Sequence, residues 1–124
     1  MRIAPVVAGL ILSASATAEP PVPLPDGTYQ FQWRDTEFAS SPGFPVRVEI
    51  SGQNIRVVNE GSRVGVPAGE IAHGTLMWHE RLSKWILASS PDDATAESVG
   101  GCGDNDPYEI DFKSRDIWTC QWGP

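Results

Sequence analysis

Apolar and polar positions alternate with period two along most of the chain. Tyr29, Phe31 and Trp33 alternate with Thr28, Gln30 and Gln32, the pattern of a strand with one buried face. Val46, Val48 and Ile50 alternate with Arg47 and Glu49, and Ser51-Gly52-Gln53-Asn54 then supplies turn residues before Ile55 to Val58, which predicts a hairpin. A further strand is predicted from Arg63 to Val66, ending at Pro67, and a longer one from Ile71 to His79. On the latter, Ala72, Gly74, Leu76 and Trp78 form the more uniformly apolar face. Glu80 to Ser83 turns the chain into Lys84 to Ser89. Tyr108, Ile110 and Phe112 alternate with Glu109 and Asp111, and a last strand from Ile117 to Trp122 places Trp118, Cys120 and Trp122 on one face.

The one helix the pattern predicts is short. Ser90 can cap Pro91 to Glu97, Pro91 suits the first helical position, and Asp92 and Asp93 favour the positive end, with Gly100 as terminator. Seven to eight short strands with one short helix predict an all-β domain, an antiparallel barrel or sandwich. Closure removes exposed edges, which favours the barrel. Tyr29, Phe31, Val48, Ile50, Val57, Leu76, Trp85 and Ile110 are the predicted core. Gly27-Thr28-Tyr29 with Trp33 resembles the first strand of lipocalin-like barrels. The resemblance covers that strand alone, lacks their Gly-x-Trp order, and assigns no family.

The ends of the sequence differ from this pattern. Met1 and Arg2 precede an apolar stretch through Leu12 and then Ala16-Thr17-Ala18, the layout of a secretory signal peptide over residues 1–18. The apolar run is too short to span a bilayer comfortably. Residues 19–27 carry four prolines and read as a stiff, extended lead-in to a single β domain over 28–124. In an exported chain, Cys102 and Cys120 as the only cysteines predict a disulfide rather than a metal site, and a periplasmic or secreted location.

Charge changes the picture most. The 124 residues hold nine Lys and Arg against 16 Asp and Glu, a net charge of −7, which opposes binding to nucleic acid or an anionic membrane surface. Without residues 1–18 the remaining 106 carry −8. Asp92, Asp93, Glu97, Asp104, Asp106, Glu109 and Asp111 supply seven of those charges, and no Lys or Arg occurs from Trp85 to Phe112. This concentration predicts a negative face for a basic protein partner. Asp92, Asp93, Glu97, Asp104 and Asp106 are its candidate charges, with Tyr108, Trp118 or Trp122 as aromatic anchor.

Catalytic chemistry is poorly supplied. His73 and His79, six residues apart on one extended strand, lie too far apart to share a metal, and read as half-exposed strand residues. Neither His-Glu-x-x-His nor Gly-x-Ser-x-Gly occurs. Gly100-Gly101-Cys102-Gly103 offers successive backbone amides as an anion nest, but acids surround it, and turn and disulfide geometry accounts for the glycines. Asp104-Asn105-Asp106 opens like a calcium loop. Glu109 then stands where Gly is needed and Arg115 where a bidentate Glu belongs, which leaves a turn or a weak calcium site at Asp104 and Asp106.

The resulting expectation is an exported, non-enzymatic binding protein without cofactor or metal. It would inhibit a basic envelope enzyme such as a lysozyme or another cell-wall hydrolase, or neutralise a toxin as an immunity protein. The alternative is a lipocalin-like carrier of a small apolar ligand, since the chain has five Trp, four Phe and two Tyr and a barrel can enclose one such ligand.

Overall fold

A computed structural model describes residues 19–61 and 65–120. Seven strands follow one another: β1 (Gly27–Asp35), β2 (Phe44–Ser51), β3 (Asn54–Asn59), β4 (Gly69–His79), β5 (Lys84–Ala88), β6 (Tyr108–Asp111) and β7 (Asp116–Thr119). They close into a barrel in sequence order. Each consecutive pair is antiparallel. Because direction alternates along seven strands, the first and last point the same way, so the closing pair of β1 with β7 is parallel.

The alternation selects the inside. Phe31, Trp33, Val46, Val48, Ile50, Ile55, Val57, Leu76, Trp85, Ile110 and Ile117 form one buried cluster. Of the predicted core, Tyr29 alone remains partly exposed, packed against that cluster. Edge-to-face contacts of Phe31 and Trp85 with Phe112, each at 6.0 Å between ring centroids, fill the space between opposite walls. On the outer face a ladder of charge crosses three strands. Glu49 and Arg56 are cross-strand partners on β2 and β3, and Arg56 reaches Glu70 on β4 at 2.7 Å.

Side chains fasten the closing seam as well as backbone pairing. Arg34 on β1 bonds the Asp116 carboxylate on β7 at 3.2 Å and lies 4.5 Å from the centre of the Trp118 ring. It also donates to the carbonyls of Ala39 and Ser41, fixing the β1–β2 connection. The Thr119 hydroxyl donates to the Arg34 carbonyl at 3.0 Å.

Several sequence readings are corrected. The buried face of β7 is Ile117 and Thr119, while Trp118 is half-exposed on the outside, under the Arg34 guanidinium. Trp122 lies outside the described residues, as does segment 1–18. Of the strand expected at Arg63 to Val66, residues 63 and 64 also lie outside them, and Val66 forms a single bridge. The helix is a 3-10 helix over Pro91–Thr95, capped by Ser90 as predicted but ending before Glu97. A second 3-10 helix, Thr36–Phe38, is capped by Asp35. The proline-rich lead-in does not stand away from the barrel. Val22 and Leu24 pack against the core, and the Glu19 carboxylate accepts from the Trp78 amide at 3.2 Å.

Arg34→Ala should cost about 3 kcal/mol in urea unfolding, because it leaves Asp116, 7% exposed, buried without its cation. Asp116→Ala should cost a similar amount, and the double variant little more than either. A loss below about 1 kcal/mol for both single variants would assign closure to backbone pairing alone.

Candidate functional site

One groove of about 1080 Å³ gathers Asp92, Asp93, Glu97, Asp104, Asp106 and Tyr108. These are the five acids named as charges of the negative face and one of the three candidate anchors. The other two acids of the segment lie elsewhere: Glu109 pairs with Lys84 at 3.1 Å, and Asp111 accepts from the amides of Lys113 and Ser114 to close the β6–β7 turn.

The groove acids divide into two kinds. Asp93 accepts from the amides of Ser89 and Ser90, completing a capping box whose other half is the Ser90 hydroxyl. Asp106 accepts from the Ser98 hydroxyl at 2.7 Å and the Gly103 amide at 3.1 Å, so it folds the 98–106 loop back on itself. It therefore occupies an amide of the glycine-rich stretch that had offered an anion nest. Asp92, Glu97 and Asp104 are exposed, and their carboxylates have no hydrogen-bond partner among the described residues. Their charge projects into solvent. The two kinds of work fall to different residues, and the sequence pattern alone does not separate them.

Three ties hold this loop to the barrel. The disulfide joins Cys102 to Cys120 just beyond β7. The Gly100 amide donates to the Pro107 carbonyl at 2.8 Å, and its own carbonyl accepts from the Thr36 hydroxyl. Gly100 has φ +70, and a Cβ there would meet the Glu109 Cβ at 2.8 Å, so it serves a tight crossing rather than a helix end. The third tie is His79. It is 1% exposed, not half-exposed, with Nε2 bonded to the Ala96 carbonyl at 2.7 Å and Nδ1 accepting from the Leu82 amide at 3.2 Å. Those partners match the tautomer protonated at Nε2 and give His79 a positioning role. Arg81 adds bonds to the carbonyls of Ala96 and Glu97.

Sequence reasoning missed the opposite wall, formed by Glu70, Ile71, Ala72 and His73 of β4, and Leu87 in the floor. His73 is exposed, with Nδ1 at 2.7 Å from Glu70. Tyr108, half-buried, stacks edge-to-face on Trp33 at 5.3 Å, and burial pushes its phenol pKa up. Asp104 and Asp106 belong to no cluster of three or more metal-ligating side chains among the described residues. The trio that is found there, Glu37 with Cys102 and Cys120, has both thiols consumed by the disulfide. Phe38, 62% exposed, is the large apolar side chain that the sequence pattern did not single out.

No family model, curated protein or solved structure matches the chain. Fold and groove define a small closed meander barrel with an acidic cleft in its wall. The disulfide places the protein in an oxidising compartment outside the cytoplasm. Among the described residues no helix is long and apolar enough to cross a membrane.

The charge ladder sets a pH dependence. Arg56 holds the carboxyls of Glu49 and Glu70 below the ordinary value of 4.5, with Arg47 and His73 contributing. A depressed carboxyl stabilises the fold fully above its unfolded value and loses that contribution as pH falls through the folded one. Stability should therefore decline from about pH 4.5 downward. Arg56→Gln should flatten that decline, as read by thermal melts across pH 2 to 6, and an unchanged slope would contradict the assignment.

Proposed function

We propose that the protein is an exported, non-enzymatic binding protein whose acidic groove docks onto a basic hydrolase of the cell envelope, such as a lysozyme, and blocks it. The observation that carries this reading is the gathering of Asp92, Asp93, Glu97, Asp104 and Asp106 beside the half-buried Tyr108 in one groove. Uncompensated charge at Asp92, Glu97 and Asp104 favours steering of a cationic partner, and the partly exposed Tyr108, Ile71 and Ala72 supply apolar area that leaves water on contact. Export to the periplasm or beyond puts the protein where such enzymes act. A toxin-neutralising immunity protein would use the same surface. The carrier alternative requires an internal chamber. Phe31, Val48, Val57, Leu76 and Ile117, each 0–1% exposed, occupy the barrel interior instead.

The test is inhibition of a purified basic lysozyme by the mature protein in a cell-wall lysis assay, with binding kinetics measured beside it. The variant Asp92→Asn, Glu97→Gln, Asp104→Asn removes charge without touching the scaffolding acids Asp93 and Asp106. It should associate at least about tenfold more slowly at low salt, with little change in dissociation. Raising salt to about 0.5 M should erase the difference. Equal association by wild type and variant at low salt, or no binding to basic hydrolases, would overturn the proposal.

A further inference from the structure

The barrel wall is interrupted at the groove. β4 runs for 11 residues and β5 for five, and their pairing begins only at Thr75 with Ala88. The first half of β4 therefore extends past the end of its neighbour. On its other side that half pairs with β3, through Ala72 with Val57 and Gly74 with Ile55.

Backbone direction on β4 is fixed by two bonds. The Leu76 amide donates to the Gln53 carbonyl at 2.6 Å, and the Trp78 amide to the Glu19 carboxylate at 3.2 Å, both on the β3 side. Amides alternate in direction along a strand, so Thr75 and Met77 turn toward β5 and His73 turns the same way. Continuing the β4–β5 register, His73 would meet Ser90. The Ser90 amide instead donates to the Asp93 carboxylate, and its carbonyl accepts from the Asp93 amide at 3.1 Å. Pro91 follows with no amide hydrogen to offer. The capping box thus draws the chain off the sheet. The His73 amide and carbonyl are left facing the groove without a backbone partner among the described residues.

Resting on the acidic-groove reading, we infer that the groove receives an extended basic segment of its partner as an added strand along the His73 edge of β4. The added main chain bonds His73 where β5 has turned away. Alternate side chains of an extended segment point to opposite faces. One set therefore covers Tyr108, partly exposed in the floor, and lysines or arginines in the other set reach Asp92, Glu97 and Asp104 on the rim. Charge complementarity and an unpaired strand edge in the same groove select this occupant over a compact basic surface, which would engage the rim without using the edge.

The experiment titrates the mature protein with a blocked hexapeptide of alternating lysine and valine, and with two forms of it N-methylated at one or the other set of alternate residues. Calorimetry at low salt should give binding of the parent. One methylated form should bind about tenfold more weakly, because it loses main-chain donors to β4, while the other retains the parent affinity. If both methylated forms bind like the parent, or the parent does not bind, strand addition is overturned. The rim reading is scored separately with Asp92→Asn, Glu97→Gln, Asp104→Asn. Weaker binding of all three peptides to that variant supports it even where strand addition fails, and unchanged binding removes it.

Discussion

A meander of seven strands cannot close on antiparallel pairs alone, and the rest of this structure depends on how the parallel seam between β1 and β7 is held. Four register pairs join the two strands, from Gln32 with Asp116 to Asp35 with Thr119. Arg34 adds a largely buried ion pair to Asp116, a guanidinium over Trp118 and two bonds to the following loop. Because the disulfide lies immediately beyond β7, a fixed seam also fixes the 98–106 loop. The acidic groove is thus an outcome of barrel closure rather than a decoration on a mobile connection.

A second constraint gives the groove its shape. Ser90, Pro91 and Asp93 form a capping box two residues after β5 ends, and local bonding there wins over continued pairing with β4. One acid spent on the cap and one spent on the 98–106 loop hold the backbone. Three others, at the rim, carry the charge outward. Gly74 marks where the strands part: a Cβ there would meet the Ala88 carbonyl oxygen at 2.4 Å, so only glycine lets β5 come in close before it turns away.

Much of the fold was legible because each strand of the barrel has one buried face. Period-two alternation located β1, β2, β3, β4, β5 and β6 and most of the core. It located β7 as well, but Ile117 and Trp118 are both apolar there and periodicity does not say which faces inward. The ion pair with Asp116 decides it, and that depends on Arg34, more than 80 residues earlier. The Pro91 cap was visible as Ser90, Pro91 and Asp93 at fixed spacing, although its 3-10 geometry was not. Of the site, the acidic wall was readable as a run of sequence. The β4 wall and the floor were not, because Glu70 and His73 of β4 and Leu87 of β5 come together only through strand lengths and register. Burial of His79 was equally hidden, since its partners come from the next turn and from Ala96.

The central claim is that β4 presents an open edge within the acidic groove. Native-state amide hydrogen exchange, residue by residue along β4, tests it most directly. Thr75 and Met77, paired to β5, should exchange slowly, and His73, on the same side of the same strand, should exchange close to the rate of an unprotected amide. Protection of His73 equal to that of Thr75 would mean that the edge is already occupied, and would contradict the account.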